Sequence, residues 1–349
     1  MSTHRKSMPL ILALFTLTIA AFCLSIERTS AQAVPGYCAA PYKINWPAAN
    51  PVWSLCWTPP NSSSGVDGSG LEITHAFYKG RRVIWQANVP VLNVKYDPGG
   101  CGGSNLSYRD WQNQLQDFEA NNVISPGYAE PTAPPKTVCD HPGSDAGSFS
   151  GVAVEKKADK LILTTQMQAG WYRYIMKWTF YLDGTIEPRF GFTAVDYPCT
   201  TKFHTHHVYW RFDLDIEGAA NDRIDQRAVF FGWLKKPTEF STGSPLATRW
   251  RIMDNSTGRG YAVTRGTNDG PADAWAVANF WGLRYRFSER DDGGATGGPT
   301  GDAEHISNYL NGESISGNDV VFWYHARNRH AGGINCDFVG PTLKPIGSW

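Results

Sequence analysis

The sequence predicts an all-β protein. Glycine (35), proline (22) and tryptophan (14) are abundant over the 349 residues, long helical periodicities are few, and short apolar runs are bounded by turn residues. Together these features favour many short strands joined by well-punctuated turns. The chain is long enough for one large core, because β-sandwiches often exceed two hundred residues as a single domain.

The first 33 residues read as an export signal. His4, Arg5 and Lys6 form a basic start, 9–24 is mostly apolar, and Ala31-Gln32-Ala33 is a small-x-small cleavage site. The apolar run is short for a membrane span, and no other stretch approaches the required length. A secreted or periplasmic chain starting near Val34 is expected. Residues 34–70, rich in Pro, Ser and Gly, read as an irregular lead-in to a domain over 71–349.

Strand signals begin at Leu71. Residues 75–78, a Lys79-Gly80 turn and 81–87 read as strand, turn and strand, and 89–96 continues the β pattern into a Gly-rich loop at 97–103. Residues 110–120 read equally as a short helix or an irregular segment, and 126–148 as a proline-rich loop. Strands are expected at 151–155, 160–166, 171–182 and 185–193. The last two are joined at Asp183-Gly184, a strong hairpin signal. Further strands are expected at 204–216, 226–233 and 319–324, the last ending in a loop that holds His330.

Charge and cysteine narrow the functional classes. The whole chain has a formal net charge of zero, and the export segment is more basic than the remainder. That leaves neither a basic field for nucleic acid nor a polybasic patch for a membrane. Cys23 leaves with the export segment. Cys38, Cys56, Cys101, Cys139, Cys199 and Cys336 remain, an even count that suggests up to three disulfides in an oxidising compartment. Cys38–Cys56 is the simplest pairing because its loop is short.

The most informative stretch is His204-Thr205-His206-His207-Val208-Tyr209-Trp210-Arg211. A β-strand puts residues i and i+2 on one face, so His204 and His206 can point two imidazoles at one metal while His207 points away. Imidazole suits copper and zinc; the pair can equally pack as ordinary polar residues. A third ligand would decide between these readings, and His330 is the candidate, with His325 as its local rival. Asp213 and Asp215 follow the pair and, on a regular strand, face away from it. They can hold a separate calcium with Asp319 and backbone carbonyls, or stand as solvated carboxylates at a strand end.

Four stretches, in order, resemble the catalytic domain of the quinone-containing copper amine oxidases. Arg211 and Asp213-Leu214-Asp215 follow His204-Thr205-His206 as they follow that family's copper-ligating histidine pair. Asp319-Val320-Val321-Phe322-Trp323-Tyr324 with His330 is similar to the C-terminal block carrying the third copper histidine. Ala169-Gly170-Trp171-Tyr172-Arg173-Tyr174, leading to Trp178 and Asp183-Gly184-Thr185, is similar to the strand bearing the cofactor tyrosine. Val94-Lys95-Tyr96-Asp97 with Tyr108-Arg109-Asp110 resembles the block holding a gating tyrosine and the catalytic aspartate. The likeness spans roughly Leu71 to Lys344.

That resemblance implies a large antiparallel β-sandwich, usually dimeric, acting on a small primary amine and O₂. It implies copper on His204, His206 and His330, and topaquinone made from Tyr172. Asp110 would be the base that takes the α-proton, and Tyr96 would hydrogen-bond the cofactor. Calcium would lie on Asp213, Leu214, Asp215, Asp319 and Val320, with Leu214 and Val320 contributing carbonyls. The family's cofactor motif reads Asn-Tyr-Asp/Glu-Tyr, whereas this chain has Trp171-Tyr172-Arg173-Tyr174. The tyrosines are kept and both flanking polar positions differ. A copper-binding β-sandwich that no longer forms the quinone is therefore the second reading.

Overall fold

The computed structural model describes residues 38–65, 68–97, 107–109, 128–140, 147–169, 171–194, 200–294, 303–330 and 336–349. Among them run β1 (Lys43–Trp46), β2 (Trp53–Thr58), β3 (Glu72–Tyr78), β4 (Arg81–Tyr96), β5 (Ser107–Arg109), β6 (Tyr128–Ala129) and β7 (Val152–Lys156). They continue with β8 (Lys160–Ala169), β9 (Tyr172–Tyr181), β10 (Ile186–Ala194), β11 (His204–Asp213), β12 (Asp222–Ala228) and β13 (Gly232–Lys236). The remainder are β14 (Phe240–Thr242), β15 (Arg249–Asp254), β16 (Gly260–Thr264), β17 (Phe280–Arg284), β18 (Val320–His330) and β19 (Thr342–Ile346). Helix is confined to three short 3₁₀ turns among the described residues. The all-β expectation holds.

Two sheets form. One has the order β1-β2-β3-β4-β11-β18-β17-β14, with β5 paired to β4; the other runs β13-β12-β15-β16-β19-β10-β9-β8-β7-β6. Pairing is antiparallel apart from β6 with β7. The hairpin signal at Asp183-Gly184 joins β9 to β10, which pair over their full length from Ile186↔Phe180 to Ala194↔Tyr172. Gly184 has φ +88°, a conformation that glycine adopts without steric cost.

Several expectations need correction. The lead-in carries β1 and β2, which extend the first sheet through β3. The run 226–233 is not one strand: β12 ends at Ala228 and the chain turns into β13, with Val229, Phe230 and Phe231 exposed at the turn. His330 is not on a loop. Regular pairing continues past Tyr324, so His330 ends β18, and β19 follows it in the opposite sheet. Cys38–Cys56 forms as expected, and Cys139–Cys336 is a second bridge; Cys101 and Cys199 lie outside the described residues.

The core lies between the sheets and is aromatic. Trp178 of β9 meets Trp210 of β11 edge-on with ring centroids 5.3 Å apart. Phe212, Phe322, Phe280 and Trp250 form a continuous stack from the first sheet to the second, at 4.7, 5.2 and 4.4 Å. Such offset stacks add to the stabilisation that comes from burying ring area. A second apolar cluster, including Tyr209, Trp281, Ile306 and Trp323, covers the outer face of the first sheet. Every residue of β11 is consequently buried. Its even-numbered residues face the inter-sheet core and its odd-numbered residues face this outer layer.

Candidate metal centre and active site

The site follows from three adjacent strands, β4, β11 and β18. Antiparallel pairing sets His204 directly opposite Tyr96 on one side and opposite His330 on the other. His206 follows two residues along the same face. The ring centroids of His204 and His206 are 5.0 Å apart, as are those of His204 and His330. Imidazoles that share one metal through nitrogens about 2.0–2.1 Å from it have centroids about 5 Å apart at a tetrahedral angle. The spacing of these pairs fits a shared ion.

Protonation fits as well. The Nδ1 of His204 lies 2.6 Å from the Lys202 carbonyl, which can only accept, so Nδ1 carries the proton and Nε2 presents a bare lone pair. His206 Nδ1 is 3.0 Å from the Tyr174 hydroxyl. The Nε2 atoms of His204 and His206 are buried with no hydrogen-bond partner among the described residues. Burial, partly offset by the bond to the Lys202 carbonyl, lowers the His204 pKa to about 4. Burial first, and then the neighbouring His204, His330 and His207, hold His206 well below its usual value. Neutral, oriented, bare imidazole is the form that binds transition metals.

Across from the histidines, the second sheet contributes tyrosines. Tyr172, at the start of β9, stands edge-on to His206 at 4.6 Å and lies 5.5 Å from His204. Its hydroxyl is 2.7 Å from that of Tyr96, so Tyr96 bridges the sheets to the same ring. All five of Tyr96, Tyr172, His204, His206 and His330 are buried. The rival His325 is on the outer face of β18, hydrogen-bonded to His207, and takes no part. Asp110 lies outside the described residues; β5, ending at Arg109, pairs with β4 at Asn93.

Two contributors carried no assigned role in the sequence reading. Tyr174 supports His206, and its place was legible because it shares a strand face with Tyr172. Phe192 packs over His206 at 3.6 Å and over His330 at 5.1 Å. Its position follows from counting back through the hairpin, where Phe192 pairs with Tyr174.

A second constellation occupies the other end and the other face of β11. The carboxylates of Asp213, Asp215 and Asp319 lie within 4.8 Å of one another. They are not solvated strand-end groups, since Asp213 and Asp215 are buried. Burial, opposed by Arg211 and reinforced by Asp215 and Asp319, pushes Asp213 well up. Burial raises Asp215 to about 6 against Arg82, and burial with repulsion from Asp215 raises Asp319 to about 7. Asp222, absent from the sequence reading, is a fourth carboxylate coupled to this group, raised to about 10 chiefly by burial. Leu214 and Val320 adjoin these carboxylates in the chain.

A histamine oxidase of Arthrobacter globiformis is 28% identical over 208 residues, covering 46% of this chain and 29% of that protein. The solved copper-containing benzylamine oxidase of Hansenula polymorpha superposes with a TM-score of 0.65 at 14% identity, over 88% of this chain and 60% of that one. The chain has the amine oxidase fold. An amine oxidase of Aspergillus nidulans gives 0.57 at 15% identity, over 84% of this chain and 50% of its own, and a lysyl oxidase of Pichia pastoris gives 0.58 at 14%, over 84% and 51%. No protein-family model matches. This chain therefore spans about a third of the curated relative and between half and three-fifths of the amine oxidase structures.

Proposed function

We propose that this chain is a copper-dependent primary amine oxidase, exported from the cell, with His204, His206 and His330 as copper ligands. The observation that carries the reading is the approach of Tyr172 to His206, with its hydroxyl bonded to Tyr96. It combines a donor set suited to copper with a phenol held against that set. When bound, copper and the quinone made from Tyr172 would supply the electron sink by which a primary amine, O₂ and water become an aldehyde, ammonia and hydrogen peroxide.

The chain's own residues supply orientation and proton handling. Tyr96 holds the oxygen of Tyr172 at one edge, and Phe192 excludes water above His206. Tyr174 and the Lys202 carbonyl fix the imidazoles of His206 and His204. Asp110 is proposed as the base for the α-proton. Asp213, Asp215 and Asp319, with the carbonyls of Leu214 and Val320, are proposed as a calcium site, supported by two buried carboxylates and a half-buried third drawn together without matching cations for each. Homodimerisation is proposed on the resemblance alone.

Purified protein loaded with copper in air should turn pink and form a coloured adduct with phenylhydrazine, and Tyr172→Phe should do neither. With tyramine the wild type should release peroxide, and Asp110→Asn should retain the adduct while losing most of that release. Copper binding without any quinone absorbance would sink the oxidase reading. That result would support a non-catalytic copper protein, a reading favoured by Arg173, which is buried beside Tyr172 and donates to its carbonyl at 3.0 Å.

A further inference from the structure

The outer face of β11 carries a second imidazole that the reaction does not use. His207 is fully buried, paired in register with Asn93 and Arg327, and turned away from the histidine trio. Its hydrogen bonds form a directed chain. His325 Nδ1 lies 2.9 Å from the Ala278 carbonyl, which only accepts, so that nitrogen bears the proton. In a neutral ring His325 Nε2 is then an acceptor, and it receives the bond from His207 Nδ1 at 2.9 Å. His207 Nε2 is left as a bare lone pair with no hydrogen-bond partner among the described residues.

That lone pair faces a carboxylate. Asp273 Oδ2 lies 3.5 Å from His207 Nε2. Its other oxygen accepts from the backbone amides of Trp275 and Ala276 at 3.0 and 2.7 Å, which aims Oδ2 at the imidazole. Two electron-pair donors held face to face repel each other unless a cation lies between them. Nitrogen and oxygen ligands about 2.0–2.2 Å from one tetrahedral ion are about 3.4 Å apart. The His325–Ala278 relay is the kind of outer support that fixes the tautomer of a metal-bound histidine. Asp273 is one-third exposed, so an ion and its waters have a way in.

We infer that His207 Nε2 and Asp273 Oδ2 chelate a divalent transition ion of the zinc class, with water completing its shell. This site lies on the opposite face of β11 from the trio and does not depend on how the trio is read. Two cations face it. Arg327 is committed to Asn279 Oδ1 and to the carbonyls of Ala276 and Ala278. Lys95 lies 5.7 Å from the Trp275 ring centroid and is the competing charge.

The test is equilibrium dialysis of the full chain, preloaded with copper and calcium, against micromolar zinc. Asp273→Asn keeps an oxygen for the two backbone amides and places an NH₂ donor against the bare nitrogen. It should bind one zinc fewer per chain, or bind it at least tenfold more weakly, while Lys95→Met should bind it severalfold more tightly. Without metal, Asp273→Asn should melt at the wild-type temperature or above, because the new amide satisfies Nε2. Zinc binding unchanged by Asp273→Asn would overturn the site. So would a lower melting temperature for the metal-free variant, since it would mean that a protonated His207 already pairs with Asp273.

Discussion

His204 and His330 face each other as direct partners across β11 and β18, with ring centroids 5.0 Å apart. Their approach is a property of strand register, so the third imidazole depends on pairing that runs to the last residue of β18. His330→Ala should lower copper affinity by more than the roughly 10–100-fold that loss of an outer-shell partner costs. It should leave the fold intact, because β18 pairs with β11 from Val321 to His330 and with β17 from Val320 to Tyr324. Copper retention after dialysis, with a circular dichroism spectrum as control, checks this. Retention at the wild-type level would remove His330 from the donor set.

Tyr174 is expected to act through His206. Tyr174→Phe removes the hydroxyl at 3.0 Å and little else. Copper affinity should fall by about 10–100-fold, with a changed electron paramagnetic resonance spectrum for the bound ion. An unaltered spectrum would assign Tyr174 to packing alone.

The carboxylate cluster should make the ion-free protein sensitive to alkaline pH. A folded-state pKa of about 6 for Asp215 and about 7 for Asp319 lies above the usual value near 4. Between those limits the folded chain holds protons that the unfolded chain releases, so this contribution to stability falls as pH rises. In EDTA, Asp319→Asn should therefore raise the melting temperature at pH 8 relative to wild type and change it little at pH 5. Millimolar calcium should stabilise the wild type more at pH 8 than at pH 5, and should stabilise the variant less. Equal effects of calcium on both proteins would count against a bound ion.

Phe280 sits at the centre of the four-ring stack between the sheets. Phe280→Ala should cost about 3–5 kcal/mol, the range for deleting a buried aromatic ring. Chemical denaturation measures it. A cost under about 1 kcal/mol would mean that the neighbouring rings close the gap.

Parts of this arrangement were legible because they depend on short-range periodicity. Alternation along β11 put His204 and His206 on one face and His207, Asp213 and Asp215 on the other, and the Asp183-Gly184 turn set the register of Tyr172 and Tyr174. His330 was identifiable as a candidate donor, yet the continuation of β18 beyond Tyr324 was not. Its polar residues Arg327, Asn328 and Arg329 read as loop, and Arg327 is buried only because the segment around Ala276–Asn279 accepts its hydrogen bonds. Asp222 was missed for a related reason. Its burial comes from pairing with β15 and from the turn at Asn318, both distant in sequence. Strands β12 to β17 mix charged and apolar residues without strict alternation, so tertiary packing, more than local pattern, defines them.

Burial of β11 on both faces makes its reading frame unforgiving. A single residue inserted ahead of Val208 would turn either the imidazole of His206 into the outer layer or Trp210 and Phe212 out of the core, or force a bulge. A strand with one wet face can absorb such a slip by exposing a few polar groups. Here an odd-length insertion or deletion at that point should cost either the imidazole cluster or the aromatic core, whereas paired changes of two residues would spare the alternation.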